Sequence, residues 1–397
     1  MSRLSQYFTG IAAKRLSTVE VDPKTSNQHE FNGVRAMAHI FGTNRKTFDC
    51  SYIYFGDDED KTTTAEGFLT WYDARENHET RTEYRLYFQG NTVMELAGPG
   101  DLLVIGKRPD ERTMALVVKK DTTIERQILW LFGIEDDGTR FTVSDIEGAA
   151  NRQIGYAERT ILETLGIETE AEEAVQWIDR LIEKFGAKFP STSTFSEYAR
   201  QTVEGTSPLD DPDNALMIWI NHEEMLFRTL ERYIVQQRLD TGFRDVDDFV
   251  EFSLSVQNRR KARVGFALEN HLAKVFTLHG LAFSQGKVTE NKAKPDFVFP
   301  SIVQYHQPQF PANRLTMLGS KSTCKDRWRQ VLSEANRISS KHLFTLEPGI
   351  SSNQTDEMRA HHLQLVLPQE LHGSYLNNQQ DWLMNLREFI ALVQERQ

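Results

Sequence analysis

PDFVF at residues 295–299 and TMLGSK at residues 316–321 are the two segments that decide the fold. Within them, residues 297–299 and 316–318 are short apolar runs with strand propensity, and we expect them to form neighbouring strands, with Lys321 at or just past the end of the second. Asp296 then opens one strand and Lys321 ends the other, so a carboxylate and an ammonium group share one rim of a sheet. Hard divalent cations such as Mg2+ take carboxylate oxygens and substrate phosphate as ligands. The pattern therefore predicts a site for metal-assisted phosphodiester hydrolysis.

A further ligand is expected on the segment that follows this lysine. Sites with this layout often carry a carboxylate two residues before the lysine, and Gly319 occupies that position here. Residues 325–335 predict a helix, because their apolar side chains recur on one face. Glu334 falls in the later turns of that predicted helix. It would reach back over the strand ends and supply the missing ligand.

Length and composition predict two domains. The chain has 397 residues, 39% of them hydrophobic, and a formal net charge of −11. This charge argues against indiscriminate nucleic-acid binding but leaves room for a local basic groove. The two cysteines, Cys50 and Cys324, predict a reducing environment without disulfides. No apolar run approaches the ~18 residues of a membrane span, so we expect a soluble, cytoplasmic protein with no membrane partner.

The first part of the chain, to about residue 134, reads as β-rich. Apolar or alternating runs recur there between Gly, Asn and Asp residues, which predicts a small barrel. Basic and polar segments lie between the predicted strands. They are either solvated loops or contacts to base edges, since Arg, Lys, Asn and Glu side chains match the donors and acceptors of the major groove.

The remaining chain predicts an α/β domain with a central sheet between helices. Helices are expected over residues 215–238, 249–256, 264–278 and 382–393, and strands over 343–346 and 363–367. The densest basic patch lies between two of these helices and contains Arg259 and Arg260. It is either a solvated helix start or a set of phosphate contacts. Two other Pro-Asp pairs, at 109–110 and 212–213, lack a following apolar strand and lysine and are set aside.

Taken together, the ordered set of Pro295-Asp296, Lys321, the segment KDRWR at 325–329 and Glu334 closely resembles the EcoRII-type restriction endonucleases. That family is a branch of the PD-(D/E)XK nucleases in which the second acidic residue has moved onto the helix. The resemblance runs from about residue 188 to near the C-terminus, which is about half of the chain. A looser match extends to the N-terminal part.

The resemblance implies three regions: an N-terminal B3-like pseudobarrel over residues 1–165, a helix and hinge linker over 166–195, and a PD-(D/E)XK endonuclease domain over 196–397. In the last, Asp296 and Glu334 would hold metal and Lys321 would orient water. Glu269, on the helix before the strands, is a further candidate for the metal or an ordinary surface glutamate. The resemblance implies these DNA-binding residues: Lys325, Asp326 and Arg327 for the bases, Tyr305 in the site region, and Arg15, His29, Arg75, Arg81, Glu83 and Arg85 on two arms of the N-terminal domain.

The function expected from these features is a type II restriction endonuclease that uses Mg2+. The resemblance implies a short double-stranded site containing CC and GG, a second, effector DNA copy on the N-terminal domain that relieves autoinhibition, and a cognate DNA methyltransferase. Two-fold symmetric DNA calls for a homodimer through the C-terminal domain. Two alternatives remain open. One is an endonuclease that requires modified bases, and the other is a non-cleaving DNA-binding regulator on a retired nuclease fold.

Overall fold

The computed structural model describes residues 3–21, 29–58, 61–78, 80–135, 138–144, 153–169 and 175–397. The chain divides into two compact units. The first comprises Met1–Glu170 together with the short segment Gly349–Asn353, and the second comprises Ala171–Pro348 and Gln354–Gln397. The finer division into an effector domain, a linker and a catalytic domain stays a prediction. Among the described residues, no helix is long and apolar enough to cross a membrane.

The first unit is built on one mixed sheet. Within the described residues the sheet has eight strands in the order β2-β5-β4-β3-β7-β6-β1-β8. All neighbouring strands are antiparallel except β3 and β7, which are parallel. The strands are β1 Gly10–Arg15, β2 Glu30–Asn32, β3 Lys46–Phe55, β4 Thr62–Asp73, β5 Tyr84–Phe88, β6 Leu102–Lys107, β7 Thr113–Val118 and β8 Thr142–Val143. The predicted β-rich N-terminal part is thus confirmed, whereas its B3-like identity stays a prediction.

Two apolar clusters explain why β6 and β7 are buried along nearly their whole length. Leu102 and Val104 enter one cluster, and the alternate residues Leu103 and Ile105 enter the other. Successive side chains of a strand point to opposite faces, so a strand covered on both faces reads as a continuous apolar run. The helices of this part are α1 Thr18–Val21, α2 Ala38–Phe41, α3 Thr92–Leu96, α4 Thr123–Phe132 and α5 Tyr156–Thr164. Helices α4 and α5 contribute to the first cluster.

The second unit contains a smaller mixed sheet that carries the two segments singled out in the sequence. Its order within the described residues is β13-β12-β11-β10-β9, with β11, β12 and β13 parallel and β9 and β10 antiparallel to their neighbours. The strands are β9 Ser284–Gln285, β10 Phe297–Phe299, β11 Thr316–Lys321, β12 Lys341–Thr345 and β13 Leu363–Val366. The predicted α/β class with a mixed central sheet is confirmed.

Helices surround this sheet and extend away from it. After residue 170 they are α6 Val175–Phe185, α7 Thr192–Thr202, α8 Pro212–Thr241, α9 Val246–Leu278, α10 Ile302–His306, α11 Trp328–Leu332, α12 Ser352–Ala360, α13 Asn377–Gln380 and α14 Leu386–Arg396. Phe276 of α9 lies against the rings of Phe297 and Phe299 on β10 and of Phe389 on α14, with centroid distances of 5.2, 5.3 and 6.0 Å. This aromatic contact holds α9 against the strand that begins after Asp296.

Two helix predictions are wrong in their boundaries. Residues 246–278 form one unbroken helix of 33 residues, not two helices separated by a basic segment. The basic patch therefore lies in the middle of α9, because Arg and Lys are good helix formers and nothing there breaks the helix. The last helix begins at Leu386, four residues after the predicted start, because the Asn385 side chain accepts the amide hydrogen of Glu388 and caps it.

Asp213, which the sequence analysis excluded from the site, instead binds backbone amides of two other segments. Its carboxylate is buried and accepts hydrogen bonds from the backbone amides of Gln369 at 3.2 Å, Leu386 at 2.9 Å and Arg387 at 3.0 Å. Burial raises the pKa of this carboxyl, although the three amide donors act in the opposite direction. Two of the donors open α14, so Asp213 ties the start of α8 to the start of the last helix.

Replacing Asp213 by alanine is expected to lower the free energy of unfolding of the second unit by about 3 kcal/mol, because three backbone amides lose a buried charged acceptor. Urea unfolding followed by tryptophan fluorescence measures this loss. The control is Asp356→Ala, which changes an exposed aspartate on α12 of the same chain. Equal unfolding midpoints for the two variants would show that Asp213 does not stabilise this junction.

Candidate active site

Asp296 and Lys321 meet at one edge of the smaller sheet. Phe297 pairs with Leu318 in the antiparallel ladder, so the residue before β10 lies beside the end of β11. Asp296 Oδ2 accepts hydrogen bonds from the backbone amide of Ser320 at 2.6 Å and from Lys321 Nζ at 2.9 Å. The two side chains keep 17% and 19% of their surface exposed. The pair is thus held in place by the backbone and is still open to a substrate.

Gly319 lacks a side chain for a packing reason. A Cβ atom at this position would lie 2.8 Å from Cγ2 and 3.3 Å from Cγ1 of Val331 on α11. Contacts below 3.0 Å do not occur without a shift of the neighbouring atoms. The place where related sites carry a carboxylate is therefore filled by the helix that leads to Glu334.

Glu334 lies beyond the helix, not in its later turns as predicted. Helix α11 ends at Leu332, and Ala335 adopts a left-handed conformation with φ of 50°, which ends helical geometry. Burial and the charge of Asp296 raise the pKa of Glu334 to about 7. One of its oxygens, Oε2, is buried and has no hydrogen-bond partner among the described residues. The carboxylate thus faces the same edge as Asp296 with an unsatisfied acceptor.

Glu269 faces the same group from α9. Burial and the charge of Asp296 raise its pKa, while a hydrogen bond from Gln285 Nε2 at 3.2 Å and the charge of Lys321 lower it. Gln285 lies on β9, the edge strand next to β10. Asp296 and Lys321 are therefore in direct contact, and Glu334 and Glu269, from two further segments of the chain, lie within electrostatic range of both.

The donor set of this edge suits a hard divalent cation. Asp296 accepts the hydrogen bonds of Ser320 and Lys321 through Oδ2, and the buried Oε2 of Glu334 has no partner in the part of the chain that the structure describes. Among the described residues no three His, Cys, Asp or Glu side chains lie close enough to form a complete metal cage. Mg2+ is commonly held by only one or two carboxylates with water and substrate phosphate, so two convergent carboxylates suffice.

A second group of candidate residues follows Lys321 directly. Lys325–Arg327 forms a 3-10 helix before α11, and Lys325 has a left-handed φ of 37°. Arg327 Nη2 donates to the carbonyl and hydroxyl oxygens of Thr323 at 3.1 and 2.6 Å, and its side chain is exposed. The side chain of Asp326 lies outside the described residues. This segment is thus a short turn after the strand that carries Lys321, with the Arg327 side chain exposed.

Glu347 binds the backbone of that turn, a role that the sequence analysis did not predict. Its buried carboxylate accepts the backbone amides of Cys324 and of Lys325, the latter at 3.4 Å. Its own carbonyl accepts a hydrogen bond from the Tyr375 hydroxyl at 2.7 Å. The only sequence signal was an acidic residue at the end of an apolar strand, LFTLE at 343–347, which is a common pattern.

The basic patch and Tyr305 differ in their accessibility. Arg259 lies over the Phe189 ring at 4.5 Å, and Arg260 Nε donates to Glu231 at 2.6 Å. Both arginines lie near the surface of α9. Tyr305 is fully buried, and burial together with its hydrogen bond to Glu290 raises its pKa to about 12. Contact between DNA and the Tyr305 side chain would require the site to open.

The candidate residues of the first unit lie on two separate segments. Arg15 ends β1, where its guanidinium is largely buried and pairs with Glu125 and with the Gly100 carbonyl. His29 precedes β2 and is exposed, with its ring against Phe88. On the other segment Glu83 joins two arginines, since it accepts from Arg75 Nε at 2.6 Å and from Arg85. Arg81 is also exposed. These placements leave His29 and Arg81 open, whereas Arg15 is engaged inside the unit.

Comparison with known proteins addresses the second unit. Residues 227–390 match the family model described as EcoRII C terminal. The chain is also 43% identical over 212 residues to the type II restriction enzyme EcoRII of Escherichia coli, covering 53% of this chain and 52% of that protein. The chain thus spans about half the length of the curated relative it matches. These matches confirm the resemblance predicted from the sequence over this part of the chain.

Solved structures with similar architecture include two restriction endonucleases. The metal-depleted Ecl18kI complex with uncleaved DNA is 16% identical, covers 56% of this chain and 84% of its own chain, and superposes with a TM-score of 0.45. The complex of restriction endonuclease PspGI with substrate DNA is 12% identical, covers 56% of this chain and 92% of its own chain, and has a TM-score of 0.41.

Proposed function

We propose that this chain, which carries an EcoRII C-terminal domain over residues 227–390, is a type II site-specific deoxyribonuclease that cleaves double-stranded DNA. The observation that carries the proposal is the meeting of Asp296, Lys321 and Glu334 at one edge of the smaller sheet. Two carboxylates and an amine at one open edge are the groups that metal-assisted phosphodiester hydrolysis needs.

Asp296 and Glu334 would hold Mg2+ in this scheme, with Glu269 beside them. Their fit rests on the unpartnered Oε2 of Glu334 and on the burial and Asp296 charge that raise the Glu334 pKa, since a bound cation would favour the ionised form. When bound, the cation would offset the charge of the phosphate and activate a water molecule.

Lys321 would orient the attacking water. Its ammonium group is fixed by Asp296 Oδ2 at 2.9 Å and by the Ser320 carbonyl at 3.1 Å, so two of its three donors are already directed. The third donor is left for a water or a phosphate oxygen. Such fixed donors stabilise negative charge without reorganisation during the reaction.

Sequence readout would come from Lys325, Asp326 and Arg327. Cationic side chains match the acceptors of guanine and a carboxylate matches the amino group of cytosine, which fits a short site containing CC and GG. Arg259 and Arg260 would contact phosphates. A site of this kind has two-fold symmetry, so the active form would be a homodimer through the catalytic domain.

The N-terminal region, residues 1–165, would be a B3-like domain that binds an effector DNA copy and relieves autoinhibition. His29 and Arg81 are exposed on its two segments, whereas Arg15, Arg75, Glu83 and Arg85 are held in ion pairs. Residues 166–195 would form the linker to the catalytic domain at 196–397. A cognate methyltransferase would protect the host site.

The experiment is cleavage of unmodified plasmid by the full chain with Mg2+, followed by sequencing of the DNA ends. We expect cuts in both strands at a site containing CC and GG, and loss of cutting in Lys321→Ala. The control is Lys274→Ala, an exposed lysine on α9. Specific binding without cutting in any divalent metal would favour the retired regulator, and cutting of methylated plasmid alone would favour a modification-dependent enzyme.

A further inference from the structure

Tyr305 is a buried side chain at the centre of a hydrogen-bond network that the proposed mechanism does not use. The residue lies on α10 and is fully buried. Its hydroxyl group donates to the carboxylate of Glu290, with distances of 2.7 and 2.6 Å to the two oxygens. Glu290 lies in a 3-10 helix, Glu290–Lys292, six residues before Asp296.

The same two side chains hold the backbone that follows Glu334. The amide of Asn336 donates to Glu290 Oε2 at 3.3 Å, and the amide of Arg337 donates to the Tyr305 hydroxyl at 3.3 Å. These amides belong to the second and third residues after Glu334. The backbone immediately after Glu334 is therefore hydrogen-bonded to the side chains of Glu290 and Tyr305.

The Arg337 side chain adds further hydrogen bonds between the segment after Glu334 and the end of α10. Its guanidinium donates to the carbonyl oxygens of Tyr305, of Gln307 at 2.9 Å and of Phe310 at 2.8 Å, so it is bound to the chain that leaves α10. Between Glu334 and these anchors lies Ala335, fully buried and with a left-handed φ of 50°. Residues other than glycine keep such a conformation only where their surroundings impose it.

We propose that Tyr305 is a positioning residue that acts through Glu290 and the 335–337 backbone to fix the carboxylate of Glu334 at the catalytic edge. The proposal rests on the proposed function. It replaces the DNA contact that the resemblance implies for Tyr305, because the hydroxyl is buried and already engaged by one acceptor group and one amide. It also explains how a carboxylate beyond a five-residue helix is held near Asp296 although residue 319 carries no side chain.

The test is Tyr305→Phe in the full chain, which removes the hydroxyl and keeps the ring. Groups that orient metal ligands typically contribute 10- to 100-fold to metal affinity or activity. We expect a fall of about that size in the rate of plasmid cleavage, together with weaker Mn2+ binding to the DNA-free protein in electron paramagnetic resonance titrations. The matched control is Tyr52→Phe, since Tyr52 is also fully buried and its hydroxyl donates to the Phe68 carbonyl at 2.9 Å.

A double-mutant comparison with Glu334→Ala separates positioning from general stability. If Tyr305 acts through Glu334, Tyr305→Phe has no further effect on Mn2+ affinity once Glu334 is alanine. Wild-type Mn2+ affinity and cutting in Tyr305→Phe, or an equal loss in both backgrounds, overturns the inference while the proposed function stands. Wild-type cutting by Glu334→Ala would instead remove Glu334 from the proposed site. If Tyr305→Phe melts at a lower temperature than Tyr52→Phe, the same measurements are made on Glu290→Gln. This variant weakens the hydrogen bond between Tyr305 and Glu290 by changing its half-buried acceptor, and the same losses are expected.

Discussion

Replacing Asp296 by asparagine is expected to lower the rate of plasmid cleavage by about 10³-fold, while binding to the same DNA without metal stays within about threefold. An amide keeps the shape of the side chain and can still accept the Ser320 amide at the end of β11. It loses the negative charge that pairs with Lys321 and that would hold the cation. Loss of one preorganised charged group at a reaction centre typically costs 10²- to 10³-fold or more. Rates on supercoiled plasmid and gel-shift titrations give the two numbers.

Asp110→Asn is the matched control for this change. Asp110 also follows a proline, but it is a surface residue in the first unit and is paired with Arg112 at 2.6 Å. Its replacement should leave both cleavage and binding unchanged. Wild-type cleavage by Asp296→Asn would remove the carboxylate of Asp296 from the reaction, and with it the site at this edge.

Introducing aspartate at Gly319 is expected to destroy activity, even though it restores the carboxylate that related sites carry two residues before the lysine. The new Cβ would lie 2.8 Å from Val331, so α11 would have to move away from β11. Overpacking costs about 1–3 kcal/mol, and a buried carboxylate without a partner adds to it. We expect the free energy of unfolding to fall by about 3 kcal/mol or more, with no recovery of cutting in a Glu334→Ala background.

The comparison variant is Gly373→Asp in the same unit. A Cβ at Gly373 would meet no atom within 4 Å, so its unfolding midpoint in urea should stay close to that of the unmodified protein. The contrary result is that Gly319→Asp is as stable as Gly373→Asp and restores cutting in the Glu334→Ala background. In that case packing against α11 does not explain why residue 319 lacks a side chain.

The apolar segments of the sequence predict the sheets well because burial leaves a direct mark on composition. The strands that carry Asp296 and Lys321 have nearly the predicted bounds, since every residue of PDFVF after Asp296 and nearly every residue of TMLGSK is buried. The same reasoning finds the strands of the first unit. The expected adjacency of the two site strands is found in the structure, where Phe297–Phe299 pairs with Thr316–Leu318.

Connections between these segments were harder to predict because tertiary contacts set them. Glu334 was expected on a helix, since the apolar residues of 325–335 follow the helical spacing. In the structure the helix ends at Leu332, and the amides of Asn336 and Arg337 bind Glu290 and Tyr305 instead of a helical carbonyl. The roles of Glu290 and Glu347 depend on backbone amides far away in sequence, and no spacing rule marks such a partner. For the basic patch the error was the reverse: a break between two helices was predicted where the structure has one continuous helix, because the charged residues inside α9 resemble a loop in composition.

Because α9 is unbroken, the proposed phosphate contact at Arg259 and the site residue Glu269 lie on one rigid helix. Arg259 and Glu269 are ten residues apart on it, which corresponds to about 15 Å along the axis. A duplex rises about 3.4 Å per base pair, so where the axis of α9 runs along the duplex, a phosphate held at Arg259 would lie some four base-pair steps from Glu269. The helix would then act as a molecular ruler. Inserting or deleting a residue between these two points would shift the spacing and rotate one end by about 100°, so evolution could retune the cutting distance only by whole helical turns.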